Sequence, residues 1–247
     1  MSARASILER LAGAEGGLAV LVDPARTSPR AAESLAHRAA GEGAVALLVG
    51  NSFGGSDGLE ECASAMRRGA PELPLIQFPA TAAELTAQVD AVLLLSLVSG
   101  RNPQYLIEEH VRAVPFFVRH PEVEAISTAY LLIDGGRVTS VESVTQTRPL
   151  PADKPELVAA HVHAARMIGM RAIYLESGSG AERPAGEDVI RAARSATDGP
   201  LLVGGGIRTP DDARRARAAG ADVIVVGTAF ERTDTPPVRA LALAARA

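Results

Sequence analysis

Residues 201–212 read LLVGGGIRTPDD, and this stretch contains one complete strand-to-helix unit. The apolar run Leu201–Val203 predicts a short buried strand, and the three glycines after it predict a turn. Thr209 then offers a side-chain N-cap, with proline at the first helical position and acidic residues in the first turn. The stretch therefore predicts a strand, a glycine turn and a capped helix in that order.

The same unit recurs along the chain. Eight short runs are rich in Val, Leu and Ile, which is typical of strands buried on both faces of a parallel sheet. Segments with helical spacing follow, such as Ala31–Ala40, Leu157–Ile168 and Asp211–Ala219. Eight such units in 247 residues predict an α/β fold, a (β/α)8 TIM barrel that forms one domain over residues 1–247. The predicted strands are Leu18–Val22, Val45–Val49, Leu75–Phe78, Val92–Leu97, Ala129–Ile133, Ala172–Leu175, Leu201–Val203 and Val223–Val226.

Two units depart from this repeat. The segment from Phe78 to Asp90 is short for a full crossover helix, so the sequence predicts a modified third unit. After Ile133, the glycine pair in Asp134-Gly135-Gly136 and the run Arg137–Val141 predict a hairpin that extends the sheet near the fifth strand. Elsewhere the pairs Ser28-Pro29 and Asn102-Pro103 are typical helix starts.

Composition and charge exclude several classes of protein. The net charge of −4 gives no basic surface for nucleic acid. The lone Cys62 excludes a disulfide framework within the chain and a Cys-rich metal site, and its helical surroundings predict a buried thiol. No signal peptide appears, and no apolar run reaches the roughly 20 residues of a membrane span. We therefore expect a soluble cytoplasmic protein that contacts membranes at most peripherally. We also expect a homo-oligomer, although nothing in the composition determines the number of subunits.

Glycines follow the seventh and eighth predicted strands, as Gly204-Gly205-Gly206 and as Gly227-Thr228. Backbone N–H groups approach a phosphate closely where no Cβ intervenes, and a helix N-terminus adds positive potential. TIM barrels commonly bind phosphate at these two loops. The sequence therefore predicts a phosphate site, although tight turns alone would also account for the glycines.

The sixth predicted strand ends in Tyr174-Leu175-Glu176-Ser177-Gly178-Ser179-Gly180. Alternation directs Tyr174 and Glu176 into the barrel mouth and Leu175 to the opposite face. A carboxylate in that position can accept a hydrogen bond from a substrate hydroxyl or deprotonate it. An ion pair with a nearby arginine is the structural alternative.

A carboxylate and a hydroxyl follow the first two predicted strands. Asp23 ends the first, and Ser52 lies in the polar cluster Gly50–Gly55 after the second. Such a pair is a typical sparse protein contribution to Mg²⁺, which takes its remaining ligands from water and substrate phosphates. Asp23 could instead serve as a helix N-cap.

These motifs resemble the geranylgeranylglyceryl phosphate synthases and their heptaprenyl-transferring bacterial relatives. The resemblance runs from about Leu18 to Phe230 and includes Asp23-Pro24, Gln77-Phe78-Pro79 and Tyr174-Leu175-Glu176. It implies a cytoplasmic, Mg²⁺-dependent prenyltransferase of lipid biosynthesis that joins a prenyl diphosphate to a three-carbon phosphate as an ether. It also implies that Asp23 and Ser52 hold Mg²⁺ and that Glu176 and Tyr174 are the catalytic residues, with Glu176 as the base. Both also bind substrate, and the other substrate-binding residues that it implies are Leu175, Ser177, Gly178, Ser179, Gly180, Gly205, Gly206, Gly227 and Thr228.

The chain departs from the family pattern at the barrel mouth. It has Asp23-Pro24-Ala25-Arg26 where the family has Asp-Pro-Asp-Lys, and Gly227-Thr228 where the family has Gly-Asn. These departures leave the prenyl length open and leave two acceptors, glycerol 1-phosphate and, as in moenomycin biosynthesis, 3-phosphoglycerate. Of these, we expect glycerol 1-phosphate. Two alternatives of other classes are a barrel isomerase or synthase of histidine or tryptophan biosynthesis, and a non-catalytic sensor of a phosphorylated ligand.

Overall fold

The computed structural model describes residues 5–13, 16–50, 57–227, 230 and 238–247. The strands are β1 Gly17–Val22, β2 Ala46–Val49, β3 Leu75–Gln77, β4 Ala91–Leu97, β5 Glu124–Leu132, β6 Ala172–Glu176, β7 Leu201–Gly204 and β8 Val223–Val226. The helices are α1 Ile7–Ala12, α2 Pro29–Gly41, α3 Leu59–Gly69, α4 Glu109–Arg119, α5 Ser140–Thr145, α6 Pro155–Met167, α7 Glu187–Ser195, α8 Pro210–Ala218 and α9 Val238–Ala244. A 3₁₀ turn covers Ala82–Glu84, and a π-helical turn covers Gln104–Glu108.

The eight strands form a closed parallel barrel in chain order, and β8 pairs with β1 through Val20 and Val226. The predicted (β/α)8 architecture is therefore confirmed. β5 begins at Glu124 instead of the predicted Ala129, because its first half carries polar residues that hide the strand pattern. Within the part of the chain that the structure describes, no helix is long and apolar enough to span a bilayer.

The core has two apolar layers, one inside the barrel and one between the barrel and its helices. Alternation along β6 divides its side chains between them: Tyr174 packs inside the barrel and Leu175 packs against the outer helices. Cys62 lies in the outer layer, fully buried, with Sγ 4.0 Å from Sδ of Met66. The predicted buried thiol is confirmed.

The third unit has no crossover helix, as predicted. After β3 the chain makes the single 3₁₀ turn Ala82–Glu84 before it enters β4. The buried Gln77 side chain stabilises this segment, because its Nε2 donates to the Glu84 carbonyl at 2.7 Å and its Oε1 accepts from Thr86 N at 3.1 Å. The ring of helices is consequently thinner beside β3 and β4.

The hairpin predicted after β5 is not formed. Ile133 makes one isolated parallel bridge to Leu150, and α5 follows the glycine pair where a returning strand was predicted. The Thr139 hydroxyl caps α5 by accepting from Glu142 N at 3.4 Å. Thr139 and Glu142 carry the spacing of a capping motif, and this local signal outweighs the hairpin pattern.

Helix α1, which the sequence pattern did not predict, closes the floor of the barrel. Its side chains Ile7 and Leu11 pack inside the barrel. Its first N–H groups donate to the Glu124 carboxylate at the start of β5, from Ile7 at 2.6 Å and from Leu8 at 3.4 Å. The opposite end of the barrel, where the strands terminate, carries the candidate site.

The predicted helix starts are mostly confirmed. The Ser28 side chain caps α2 and that of Thr209 caps α8. At Asn102-Pro103 the following turn is π-helical, and Oδ1 of Asn102 accepts from Gln104 N at 3.1 Å.

Candidate active site

Glu176 is the last residue of β6 and points into the barrel mouth, where it is 7% exposed. Its Oε1 accepts a hydrogen bond of 2.6 Å from the N–H of Gly178. Burial raises the pKa of Glu176 to about 7, against smaller opposing effects of Gly178 N–H and the Tyr174 hydroxyl. A carboxylate with that pKa can accept a proton near neutral pH.

No arginine in the described ranges forms an ion pair with Glu176, and no cation lowers its pKa. The alternative of a structural ion pair therefore has no support. The carboxylate is instead surrounded by backbone and by the phenol of Tyr174.

The glycines after β7 lie directly against this carboxylate. A Cβ atom on Gly204 would lie 2.4 Å from the Tyr174 hydroxyl, and one on Gly205 would lie 2.3 Å from Oε1 of Glu176. Gly205 and Gly206 both have positive φ angles, +78° and +72°. Only glycine can meet both requirements at Gly205.

The same loop leaves backbone donors free. The N–H groups of Gly205 and Gly206 donate to no other described residue. Two adjacent N–H groups in such a turn form a concave anion site. Gly227 lies nearby after β8, where its Cβ position is 3.3 Å from the Leu21 carbonyl. Thr228, predicted to join this site, lies outside the described residues.

Two buried hydroxyls at the end of β6 lack a geometric hydrogen-bond partner in the described part of the chain. The Tyr174 hydroxyl lies close enough to the Glu176 carboxylate to lower its pKa, but neither this hydroxyl nor Ser177 Oγ makes a hydrogen bond of full geometry with a described residue, and both residues are at most 1% exposed. Buried polar atoms are normally satisfied, so an unsatisfied pair beside a carboxylate indicates where a polar ligand binds. Burial, together with the Glu176 charge, raises the pKa of Tyr174 well above its ordinary value, so its hydroxyl stays protonated.

Tyr174 also belongs to an aromatic cluster that the sequence analysis did not assign to the site. Its ring stacks on Phe78 at 5.1 Å and on Tyr130 at 5.6 Å between centroids. Tyr105 lines the adjoining groove, so all three tyrosines of the chain lie at the site. Aromatic residues are rare in this chain, with three Tyr and five Phe, and this rarity was a sequence signal that each tyrosine has a particular role.

An apolar groove of about 590 Å³ leads away from the aromatic cluster. It passes through the gap left by the missing third helix, between the segment Pro79–Leu85 and the turn that carries Tyr105. Leu95, Leu97 and Val141 contribute further apolar walls. The groove and the polar pocket share Phe78 and Tyr130.

The loop after β6 is held by the loop after β5. Gly178 has φ +94° and packs against Thr139, to which a Cβ would approach within 2.3 Å. The N–H groups of Glu182 and Arg183 both donate to the Gly135 carbonyl, at 2.9 and 3.1 Å. Ser179 and Gly180 lie in the same loop, whereas Leu175 can reach the site only through its backbone.

Asp23 lies at the end of β1, at the same mouth. Its Oδ1 accepts from Ala25 N at 2.9 Å, and its Oδ2 lies 3.5 Å from Arg26 Nε. Ser28 caps α2, so Asp23 is not the N-cap of that helix. Ser52 lies outside the described residues, and the described ranges hold no cluster of three candidate metal ligands. A single half-buried carboxylate still fits Mg²⁺, which takes most ligands from water and phosphate.

Comparison with known proteins agrees with this geometry. Proteins named geranylgeranylglyceryl phosphate synthase from Korarchaeum cryptofilum (strain OPF8) and Cenarchaeum symbiosum (strain A) are 40% and 41% identical to the chain. These alignments cover 92% of both chains in the first case, and 87% of this chain and 85% of the relative in the second.

Solved structures give the same result. The (S)-3-O-geranylgeranylglyceryl phosphate synthase from Thermoplasma acidophilum, in complex with its substrate sn-glycerol-1-phosphate, superposes with a TM-score of 0.91 at 29% identity. The superposition covers 98% of this chain and 99% of that one. The resemblance inferred from the sequence motifs is therefore confirmed, and because residues 15–245 match the PcrB family, the chain belongs to that family.

Proposed function

We propose that this protein is a prenyltransferase that joins a prenyl diphosphate to a hydroxyl of sn-glycerol 1-phosphate as an ether. The observation that carries the proposal is the shared aromatic wall: Phe78 and Tyr130 line the apolar groove and also stack on Tyr174 of the polar pocket. A long apolar chain and a small polar acceptor can therefore meet at one point. The relatives named for this activity and the related complex with sn-glycerol-1-phosphate support the assignment.

The acceptor would bind at the glycine loops. The free N–H groups of Gly205 and Gly206 suit its phosphate, with Gly227 and Thr228 on the neighbouring loop. The unpartnered hydroxyls of Tyr174 and Ser177 suit its hydroxyl groups. The glycerol unit would then lie beside Glu176.

Glu176 would act as the base. Its carboxylate takes the proton of the acceptor hydroxyl while the hydroxyl oxygen forms a bond to C1 of the prenyl chain. The bond from C1 to the diphosphate oxygen breaks, and the diphosphate leaves with the electron pair. The pKa of about 7 matches this task at neutral pH.

Mg²⁺ would neutralise charge on the departing diphosphate, and Asp23 with Ser52 would hold it. Asp23 lies at the mouth, and Arg26 beside it is 63% exposed. The positions of β1 and β6 in the barrel place both carboxylates, Asp23 and Glu176, at the same end.

Two of the three mouth arginines, Arg101 and Arg208, favour glycerol 1-phosphate over 3-phosphoglycerate. Arg208 donates to the carbonyl oxygens of Ala181 and Glu182, and Arg101 donates to those of Val98 and Gly100. These guanidinium groups stabilise loops, so neither is free to pair with an acceptor carboxylate. Glu176 would repel that carboxylate as well.

Competition binding of the two acceptors, measured without donor or Mg²⁺, tests this choice. We expect tighter binding of glycerol 1-phosphate. Tighter binding of 3-phosphoglycerate that is lost in Arg26→Ala, Arg101→Ala or Arg208→Ala would reverse this choice. Met167→Ala, at an exposed site far from the mouth, is the matched control.

The activity itself is tested by incubating the protein with labelled geranylgeranyl diphosphate, Mg²⁺ and a panel of three-carbon phosphates. An ether-linked lipid phosphate is the expected product. Isomerisation of a phosphorylated sugar or amino-sugar substrate would indicate the alternative enzyme class instead. Such isomerases need two acids in the polar pocket. The buried carboxylates among the described residues are Glu176 and Glu109, and Glu109 lines the apolar groove, so the pocket does not support an isomerase. Ligand binding without turnover would indicate the sensor.

A further inference from the structure

Strand β4 carries a buried hydroxyl on the face that packs against the outer helices. Ser96 is 1% exposed and is paired in register with Ala129 of β5, which lies in the outer apolar layer. Val92, four residues earlier on the same face of β4, lies in that layer too. A polar group buried in such surroundings destabilises the fold unless it is hydrogen-bonded, so the bonds of Ser96 indicate its role.

The Ser96 side chain bonds the π-helical turn Gln104–Glu108 and the helix that follows it. Its Oγ donates to the Leu106 carbonyl at 2.8 Å and lies 3.1 Å from Nε2 of His110. The same Nε2 lies 3.0 Å from the Leu95 carbonyl. Carbonyl oxygens only accept, so Nε2 must carry a proton, and the Ser96 proton is directed at Leu106. We call Ser96 and His110 together the β4 link.

The β4 link holds a turn that contains one residue more than an α-helical turn. The Glu109 N–H donates to the Gln104 carbonyl, five positions earlier, where an α-helix would use four. A side chain that bonds a carbonyl inside a helix is a known cause of such a local departure. Ala113 and Phe116 on the buried face fix α4 against the barrel. A change to α-helical geometry would therefore rotate the residues before α4 by about 100°, and Tyr105 with them.

Tyr105, the second residue of this turn, forms part of the wall of the apolar groove. It packs on the inner apolar layer, as does Leu95, which lines the groove beside it. Ser96 and His110 are not among the described residues that line the groove. The β4 link thus lies behind this wall, where it bonds the carbonyls of Leu95 and of Leu106, the neighbour of Tyr105.

Strand β3 has the same arrangement on the other side of the groove. Gln77 is also polar and buried, and it bonds the Glu84 carbonyl and the Thr86 N–H in the segment that replaces the third helix. The two irregular elements that border the groove are therefore each attached to the strand beneath them by a buried polar side chain. An apolar side chain would satisfy packing at either position, so the polar residues indicate that the placement of the two elements matters.

We propose that Ser96 and His110 are positioning residues for the prenyl diphosphate, because they hold the π turn in the geometry that directs Tyr105 at the groove. The inference rests on the proposed function, which assigns the groove to the prenyl chain. Neither side chain would touch a substrate, and the acceptor pocket lies at the glycine loop after β7. Loss of the β4 link should therefore weaken binding of the prenyl diphosphate and leave binding of glycerol 1-phosphate unchanged.

Steady-state kinetics test this difference between the two substrates. Ser96→Ala and His110→Leu should each raise KM for geranylgeranyl diphosphate roughly tenfold, with kcat and KM for glycerol 1-phosphate unchanged. His110→Gln, which keeps an N–H donor in place of Nε2, should behave as the wild type. Ser127→Ala and His120→Leu are the matched controls, because Ser127 Oγ on β5 donates to the Gly169 carbonyl at 3.4 Å and His120 follows the far end of α4.

The double variant Ser96→Ala/His110→Leu tests whether the two residues act together. Effects within one hydrogen-bonded unit are not additive, so KM for geranylgeranyl diphosphate should rise no further than in the more affected single variant. Multiplied effects, a raised KM in His110→Gln, or equal changes in the KM values of both substrates would overturn the inference.

The tyrosine signal measures the position of the turn in the absence of substrate. The chain has no Trp and three Tyr, so the difference in near-ultraviolet circular dichroism between the wild type and Tyr105→Phe is the contribution of Tyr105. Ser96→Ala and His110→Leu should reproduce most of that difference, whereas Ser127→Ala should show none of it. Wild-type spectra for both link variants would overturn the inference, whatever their KM values. Failure of the proposed function is distinct, because it would appear as a wild-type protein that binds no geranylgeranyl diphosphate.

Discussion

The N–H of Gly178 donates a 2.6 Å hydrogen bond to the carboxylate of Glu176, two residues earlier in the chain. This bond fixes the direction of one carboxylate oxygen at the end of β6. The other oxygen, Oε2, lies 2.9 Å from the Cβ position of Gly204, towards the Tyr174 hydroxyl. A base held by backbone in this way is already oriented before the substrate binds.

Replacement of this carboxylate by an amide should therefore stop proton transfer without disturbing the fold. We expect Glu176→Gln to lower kcat by roughly 10²–10⁴-fold, the usual range for a positioned general base. Steady-state kinetics with circular dichroism would measure both properties, with Glu182→Gln on the exposed following loop as the control. A folded variant with near-normal kcat would remove Glu176 from the mechanism.

The raised pKa predicts opposite pH effects on activity and stability. The base must be ionised, so kcat/KM should rise with pH through about 7. The folded protein binds more protons than the unfolded chain between pH 4.5 and about 7, so the stabilising contribution of Glu176 is present below pH 4.5 and lost across that window.

At about 1.4 kcal/mol per pKa unit, ionised Glu176 destabilises the fold by roughly 3 kcal/mol above pH 7. Urea unfolding should show Glu176→Gln to be more stable than the wild type at pH 8, with the difference vanishing near pH 4.5. A difference that does not depend on pH would contradict this account.

Gly205 should tolerate no side chain. An alanine there would adopt φ +78° and place Cβ 2.3 Å from Oε1 of Glu176. Left-handed backbone costs a non-glycine residue about 1–2 kcal/mol before any clash is counted, so KM for glycerol 1-phosphate should rise roughly tenfold or more. Gly186→Ala is the matched control, because Gly186 has φ −70° and open space at its Cβ position. Equal kinetics for the two variants would argue against phosphate binding at this loop.

The proposed metal dependence would be carried by Asp23. EDTA should abolish turnover, and Asp23→Asn should raise the Mg²⁺ concentration for half-maximal rate roughly tenfold or more, because the carboxylate charge is lost. Metal titrations of the variant, with Asp153→Asn as an exposed control, measure this. An unchanged wild-type rate in EDTA would show that the reaction needs no metal.

Glu109 should affect the binding of the prenyl diphosphate donor and not the binding of the glycerol phosphate acceptor. Its Oε2 accepts from Ala82 N at 2.7 Å, and its Oε1 accepts from Gln104 Nε2 at 3.1 Å, so it joins the segment that replaces the third helix to the base of α4. Glu109→Ala should raise KM for the prenyl diphosphate roughly tenfold and leave that for the acceptor unchanged, since a hydrogen bond to a charged group contributes about 1.5–3 kcal/mol. Glu122→Ala, 63% exposed beyond the end of α4, is the control. Equal changes in both KM values would indicate a general loss of structure.

Most of the barrel could be predicted because apolar runs and helix caps are local signals. The start of β5 could not, since Glu124 and Ser127 interrupt the apolar pattern, and neither could α5, whose cap at Thr139 follows a misleading glycine pair. Of the site, the sequence indicated Tyr174, Glu176 and the glycine loops. Tyr130 was missed because its role arises from pairing with Tyr174 across two strands.

Other predictions concern residues or properties that stay untested. Ser52 and Thr228 lie outside the described ranges, so their roles rest on the motif alone. The cytoplasmic location and the single domain over residues 1–247 likewise stay predictions. The prenyl length depends on how side chains from separate strands close the groove.

The floor of the barrel constrains the order in which the chain can fold. Helix α1 precedes every strand, yet its N–H groups bind Glu124, 117 residues after Ile7. That carboxylate is in place only after β5 has joined the sheet, so we expect α1 to dock after β5 although it precedes β5 in the chain. Contacts between such distant residues carry a high loop-closure cost and slow folding. Until α1 docks, the apolar interior stays open to solvent at the end opposite the active site.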